Sequence, residues 1–353
     1  MNLYEQQEAN RKNTVVVVII FILFFAFLGF GFDFFYLGFR PFSRALGSSR
    51  YAGAVGRGDD GIGFPIATFI ALLVGSGQAW WGMKFGDSAV LSAASAVPVN
   101  PNTKDPTERQ LLNVVEEMKI AAGIPMPTVY IIPDNDPNAF ATGPDPEHAS
   151  IAVTRGLLQK LNREELQGVI AHEMSHVRNL DIRLMTAIAA LVGGIALLSD
   201  WAGRSMRFGG GRSTSSNRDS KDGGGALGLI LLVLWIVAII LAPILAQLMA
   251  MAVSRQREYL ADASGAELTR NPAGLANALK KIEMDVAPTE SIKRGTAHLC
   301  IADPLGHRMS FQEGFWADLL ATHPPMPSRI SKLMQMAYQA APQKAVAQPA
   351  ITS

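Results

Sequence analysis

Cysteine is nearly missing from this chain. Cys300 is the single one in 353 residues, which excludes an internal disulfide framework and fits a reducing compartment. An excess of charge of either sign is missing as well: 31 Lys and Arg stand against 30 Asp and Glu, a formal net charge of +1. No basic stretch is interleaved with aromatic residues, so the sequence offers nothing for nucleic acid to bind. Charge is sparse altogether, at 17% of residues where soluble domains carry about 25%. Apolar residues take its place. They make up 49% of the chain and bring the mean hydropathy to +0.19, which is high for a soluble enzyme and points to a membrane protein.

Four apolar runs carry that excess. After a polar segment ending in Arg11-Lys12, residues Thr14 to Gly31 are uncharged and long enough to cross a bilayer. A cleaved signal peptide is the alternative, but the run exceeds a usual h-region and no small-x-small site follows it. Phe64 to Met83 is the second run, with Trp80 and Trp81 where interfacial aromatics belong and Lys84 closing it. Leu184 to Leu198, near Trp201, is the third, and Ala226 to Val253, with Pro243 as a kink, is the fourth. The last two can also be read as buried core helices, because the third is short for a span. Residues 39–63 are rich in Gly and Arg without periodicity, and 204–225 read as a Gly- and Ser-rich flexible linker. A site built from residues on both sides of 184–253 requires an even number of crossings within that segment.

Between the runs lies material for a compact domain. Asp105 as N-cap, Pro106 at the first helical position and Glu108 in the first turn predict a helix carrying Leu111, Leu112, Val115 and Met118, ended by Gly123. Thr128–Ile132 and Ser150–Thr154 are β-rich and bounded by turn residues; Asn138–Gly143 reads as a further short strand. The expected fold is α+β: a mainly helical membrane protein with about four transmembrane helices and a compact domain holding a small β-sheet. Its expected divisions are 1–84 (membrane, two transmembrane helices), 85–183 (first part of the compact domain), 184–253 (two further apolar helices), 254–340 (its second part) and 341–353 (a disordered tail).

The chemistry starts at Ala171-His172-Glu173-Met174-Ser175-His176. His172 and His176 are one helical turn apart and can offer their imidazoles to one metal ion, with Glu173 placed as a general base. From six His and 14 Glu, chance supplies an HExxH pattern in about one chain in a few hundred. Asn162 with Glu165 three residues on is a capping box, so the motif sits on a packed helix. Catalytic zinc takes three protein ligands and keeps a position open. Ser254-Arg-Gln-Arg-Glu258-Tyr-Leu-Ala-Asp262 places Glu258 and Asp262 one turn apart on another helix. Glu258 can be the third ligand. Asp262 or Asp181 can accept the outward N–H of a ligating histidine and fix its tautomer. Asn138, Ala139, Phe140 and Ala141 can be either an ordinary hairpin arm or an edge strand that pairs with an extended substrate.

The set of HEMSH, SRQREYLAD, PNAFATG, and His323-Pro-Pro with Arg329 six residues beyond the histidine resembles the HtpX-type membrane zinc metalloproteases, and more distantly the CAAX prenyl proteases. The likeness runs from about residue 14 to about residue 337. It implies a bacterial inner-membrane endopeptidase with a cytosolic catalytic domain that degrades damaged or misassembled membrane proteins. It also implies one Zn2+ per chain on His172, His176 and Glu258, with Glu173 as base. His323 and Arg329 match residues that help hold the tetrahedral intermediate. Polypeptide substrates, membrane lipid and other membrane quality-control proteases are the implied partners.

Two rival readings lie outside that class. A site-2-type intramembrane protease buries its HExxH in an apolar span, whereas Arg163, Glu164, Glu165, Arg178 and Asp181 flank this one. A silent scaffold has no use for Glu173 between the histidines. Orientation is less direct. Arg40, Arg44, Arg50, Arg57, Arg204, Arg207, Arg212, Arg218 and Lys221 lie opposite the catalytic side, which itself carries Arg11, Lys12, Lys84, Arg178, Arg183, Arg255 and Arg257. The positive-inside bias therefore slightly opposes the cytosolic site that the resemblance implies.

Overall fold

The structure, a computed structural model, describes residues 3–35, 64–192, 255–285, 292, 299–302 and 324–340. Loop 39–63, the 204–225 linker, the fourth apolar run, His323 and the 341–353 tail lie outside the described residues, as does most of 286–322. The chain forms two compact units, one of Met1–Val90 with Arg183–Ala250 and one of Leu91–Ile182 with Met251–Ser353.

In the first unit, α1 (Leu3–Phe35) has 33 residues and α2 (Ile66–Ala93) has 28. At about 1.5 Å per residue both exceed the roughly 30 Å of a hydrocarbon core, and among the described helices these two are long and apolar enough to cross a membrane. α1 buries Phe21 and Phe25 against Ala79 and Leu191, while Val15, Ile19, Leu23, Phe27 and Phe30 form an exposed apolar stripe. Such a stripe suits contact with lipid. α2 does not stop at Lys84: the helix runs on to Ala93, with Lys84 Nζ 5.3 Å from the Trp80 ring and 5.4 Å from that of Phe85. A cation resting on aromatic faces is compatible with a continuing helix. The third apolar run is helical over its described part, residues 184–192, in a helix that begins at Asp181, and is largely buried there.

Asp33 joins α1 to α2. Its carboxylate, 1% exposed because the first turn of α2 covers it, accepts from Ala67 N at 2.9 Å, Thr68 N at 2.7 Å and the Thr68 hydroxyl at 2.6 Å. These are N–H groups that a helix start cannot satisfy internally, so α2 takes its cap from another helix.

The second unit is built around one helix. α3 (Pro106–Ala122) begins on Asp105, whose side chain accepts from Thr107 N at 2.7 Å, and ends where Gly123 takes a φ of 67°, a conformation that favours glycine. The sheet has strand order β1-β2-β4-β3, from β1 (Val97–Pro98), β2 (Thr128–Ile132), β3 (Ala139–Thr142) and β4 (Ser150–Thr154). β2 and β4 are parallel, from Thr128↔Ser150 to Ile132↔Thr154, and the other two pairings are antiparallel. α4 (Arg155–Lys160) leads into α5 (Arg163–Arg178). Asn162 Oδ1 accepts from Glu165 N at 2.9 Å while Glu165 Oε2 accepts from Asn162 N at 2.8 Å, the reciprocal box that starts α5. α6 (Arg255–Thr269), α7 (Pro272–Glu283), α3 and β3 all pack on α5, and α8 (Met326–Ala340) packs on α6 and α7. Leu166, Val169, Ile170 and Met174 of α5 are within 2% of full burial in the resulting core.

Candidate metal centre

With α5 enclosed on several sides, its polar residues are enclosed too: His172 is 0% exposed, Glu173 1% and His176 4%. The one-turn spacing sets the two Nε2 atoms 3.2 Å apart. α6 crosses directly over them. A Cβ on Gly265 would stand 3.0 Å from the backbone nitrogen of His172, so the approach is as close as it is because that residue has no side chain. The crossing brings Glu258 in from the first turn of α6, with Oε2 3.7 Å from His172 Nε2 and Oε1 3.5 Å from His176 Nε2. One ligand atom from each of these residues falls within 4.8 Å of the others.

Each histidine is backed by a different carboxylate. Asp181, just past the end of α5, bonds His176 Nδ1 through Oδ2 at 3.0 Å. Asp262, one turn beyond Glu258, places Oδ1 3.0 Å from His172 Nδ1, close enough for an ion pair yet off the line of a well-aligned hydrogen bond. The two aspartates thus share the work between the two rings. Both Nδ1 atoms are held from outside, and both Nε2 atoms turn inward towards Glu258.

Arg329 of α8 is fully buried and grips Asp262 with both ends of its fork, Nε to Oδ2 at 2.8 Å and Nη2 to Oδ1 at 2.7 Å. Its Nη1 donates to Ile301 O at 2.8 Å and lies 3.6 Å from Glu258 Oε2, while Nη2 lies 3.5 Å from His172 Nε2. The guanidinium therefore braces Asp262 and also edges the ligand set. Arg257, counted with the membrane-flanking charges in the sequence, has an Nη1 3.8 Å from Asp181 Oδ1 and is mostly buried.

These fields separate the ionisable groups. Burial drives Glu173 up to about 7, with the Glu258 carboxylate adding to the rise while His176 and Arg329 oppose it. Burial also pushes His172 below its usual value, against the pull of Asp262. For His176 the burial penalty is outweighed by the Asp181 hydrogen bond and the Glu258 and Asp181 charges, which raise it to about 9. Asp262 is held down at about 2 because Arg329 overrides its burial.

The donor set fits a catalytic zinc: two imidazole Nε2 atoms and one carboxylate, with second carboxylates fixing the tautomers. Glu173 supplies a further test of the fit. Among the described residues neither of its buried oxygens has a partner in good hydrogen-bond geometry, and the Ala141 N–H of β3 faces it only weakly. A carboxylate left so costs stability, and this one lies within electrostatic reach of His176 and Glu258 of the candidate set. A second group, Asp145, Glu147 and His148, is largely exposed and bonded within its own turn, His148 Nδ1 lying 2.8 Å from Asp145 Oδ1.

Asn138, Ala139, Phe140 and Ala141 are all within 2% of full burial. β3 is a terminal strand of the sheet, as an edge reading requires, but Leu299–Ala302 lies against its outer side, Ile301 N donating to Ala139 O at 2.9 Å. Nothing at the sequence level signals that contact, which joins residues far apart in the chain.

The model of peptidase family M48 matches residues 105–337. The chain is similar to a "Protease HtpX homolog" of Ligilactobacillus salivarius, 50% identical over 238 residues that cover 67% of this chain and 77% of the relative. A second of that name, from Thermoanaerobacter pseudethanolicus, is 46% identical over 272 residues, covering 77% and 83%. The crystal structure of S. mikatae Ste24p aligns at a TM-score of 0.44 and 17% identity, covering 75% of this chain and 57% of that one, too loose a match for anything to be built on. This chain belongs to peptidase family M48.

Proposed function

We propose that this M48 metalloprotease is a zinc-dependent endopeptidase, anchored in a bacterial inner membrane, that hydrolyses damaged or misassembled membrane proteins from the cytosolic side. The observation that carries the reading is Glu173, a buried carboxylate without a well-made partner among the described residues, next to His172 in the chain and within electrostatic reach of His176 and Glu258. The HExxH helix belongs to the compact unit that contains neither α1 nor residues 66–90 of α2, which speaks against a site-2-type arrangement.

In this reading His172, His176 and Glu258 hold one Zn2+, which when bound polarises the scissile carbonyl and acidifies the attacking water. Glu173 takes the proton of that water and passes it to the leaving amine; without the metal, burial raises it to about 7. Asp262 and Asp181 keep the imidazole Nδ1 atoms turned outward. Arg329 holds Asp262 in place, and its charge beside Glu258 and His172 also favours an oxyanion formed there. His323 is proposed as the partner donor on the resemblance alone. Asn138 to Ala141 align substrate backbone along β3. Four crossings, two in 1–84 and two in 184–253, with the protease domain made of 85–183 and 254–340, complete the arrangement.

Elemental analysis of the purified protein beside His172→Ala tests the metal assignment: about one zinc per chain in the first and little in the second is expected, and undiminished zinc in the variant would reject it. Reporter fusions at residue 50 and after residue 340 test the orientation. A C-terminal reporter active only outside the cytosol would show that the charge bias, and not the resemblance, describes the topology.

A further inference from the structure

In an antiparallel pair successive residues turn their backbone groups to opposite sides. Asn138 O accepts from Thr154 N on β4 at 2.9 Å, so Ala139 presents its carbonyl to the outer edge of β3. That edge is covered by Leu299–Ala302. Ile301 N donates to Ala139 O at 2.9 Å, Phe140 and Cys300 form an isolated antiparallel bridge, and Asn138 Nδ2 donates to Ala302 O at 3.2 Å. In a regular ladder the Ile301 carbonyl would return to Ala139 N–H. Instead it accepts from Arg329 Nη1 at 2.8 Å, and Ala139 N–H turns to Asn138 Oδ1 at 3.0 Å.

These hydrogen bonds all use the backbone of the segment, so any extended polypeptide can make them, as a strand-addition site for varied sequences requires. The groups that make them also border the chemistry. Arg329 Nη1 is 3.6 Å from Glu258 Oε2, and Ala141 N–H of the same strand faces Glu173. A permanent strand would pair along β3 as β4 does, from Ala139↔Val153 to Thr142↔Ser150; the described residues of this segment meet β3 through the single bridge, the Ile301 bond and the Asn138 side-chain bond to Ala302.

Resting on the metalloprotease reading, we infer that Leu299–Ala302 is an internal stand-in for substrate, holding the outer edge of β3 until a polypeptide displaces it. Asn138 Nδ2, Ala139 O and Arg329 Nη1 are then the groups that receive substrate backbone. Ile301 is 1% exposed and part of the main core, so an incoming chain must fill its place with a large aliphatic side chain. Preference for Ile, Leu or Val at that one substrate position follows.

Cys300 is the sole thiol and is 2% exposed, which makes it a reporter of the displacement. Full-length Glu173→Gln protein, zinc-loaded in detergent, is treated with N-ethylmaleimide with and without fluorescein-labelled carboxymethylated casein, whose own thiols are blocked and whose binding is followed by anisotropy. Labelling of Cys300 is expected to quicken by about tenfold or more at saturating casein, as a locally opened segment would. Bound casein with unchanged or slower labelling overturns the inference, and so does casein that fails to bind at all. In the otherwise native protein, Ile301→Pro removes the N–H given to Ala139 O and is expected to lower KM for casein; an unchanged KM, or activity lost at an unchanged Tm, contradicts it. If that variant does not fold, the labelling result decides alone. Failure of the protease reading is seen separately, as absence of casein cleavage by the wild-type protein.

Discussion

Each of the two compact units buries a carboxylate to 1% exposure, and the two are treated in opposite ways. Asp33 accepts from two backbone N–H groups and a hydroxyl at the start of α2, at 2.6 to 2.9 Å. Glu173 has no well-made hydrogen bond among the described residues, although the charges of His176, Glu258 and Arg329 all act on it. The first is how a fold uses a buried charge: it is fully bonded and it fixes one helix against another. The second is how a reactive site keeps one, at a cost in stability that bonding would have removed. Asp262 stands between these cases, bonded by Arg329 like a structural residue yet directed at a candidate metal ligand.

The comparison can be broken by removing its members in turn. Glu258→Ala is expected to have the largest effect, with zinc and casein hydrolysis both lost, because two imidazoles alone do not make a catalytic zinc site. Retained zinc and activity would place the third ligand elsewhere. Asp262→Ala leaves Arg329 buried and without its main partner, and should cost about 3–5 kcal/mol of stability, read as a lower Tm in detergent together with weaker zinc binding. A Tm equal to wild type would mean that Arg329 is not held as the geometry has it.

pH sharpens the same point with a smaller effect. His176, raised to about 9 in the metal-free protein, is protonated at neutral pH and must lose that proton before it can ligate. Zinc affinity should therefore climb about tenfold per pH unit from 7 towards 9 and level off above that. An affinity flat across that interval would mean that His176 is already neutral. Asp33→Ala is expected to have the smallest effect, about 1 kcal/mol for a lost helix cap, with zinc content and casein hydrolysis unchanged. Loss of activity in that variant would erase the distinction drawn between the two carboxylates.

What could be read in the sequence was local. Asp105-Pro106, Gly123 and the Asn162–Glu165 box act within a few residues, and the structure has them bounding α3 and starting α5. The strands over Thr128–Ile132 and Ser150–Thr154 have the bounds their composition suggested. His172 with His176 and Glu258 with Asp262 were visible because a helix turns four residues into one face. What could not be read depends on distance along the chain. The Asp33 cap of α2 spans more than 30 positions, as does the covering of β3 by Ile301. Gly265 gave no sign that it would sit against His172, and Arg257 looked like a membrane-flanking charge until Asp181 was found beside it. β1 is two residues long and one of them is Pro98, too little for any pattern. The continuation of α2 past Lys84 was hidden because the charge of Lys84 ends the apolar run, although the helix itself goes on to Ala93.

The central claim is that Glu173 is kept unbonded for catalysis. Zinc content, Tm and casein hydrolysis measured together on wild type and Glu173→Gln test it most directly. The account predicts equal zinc, a Tm equal or higher because a poorly satisfied charge is gone, and hydrolysis lower by about 10²–10⁴-fold. Equal hydrolysis in the two proteins, with zinc retained in both, would contradict it.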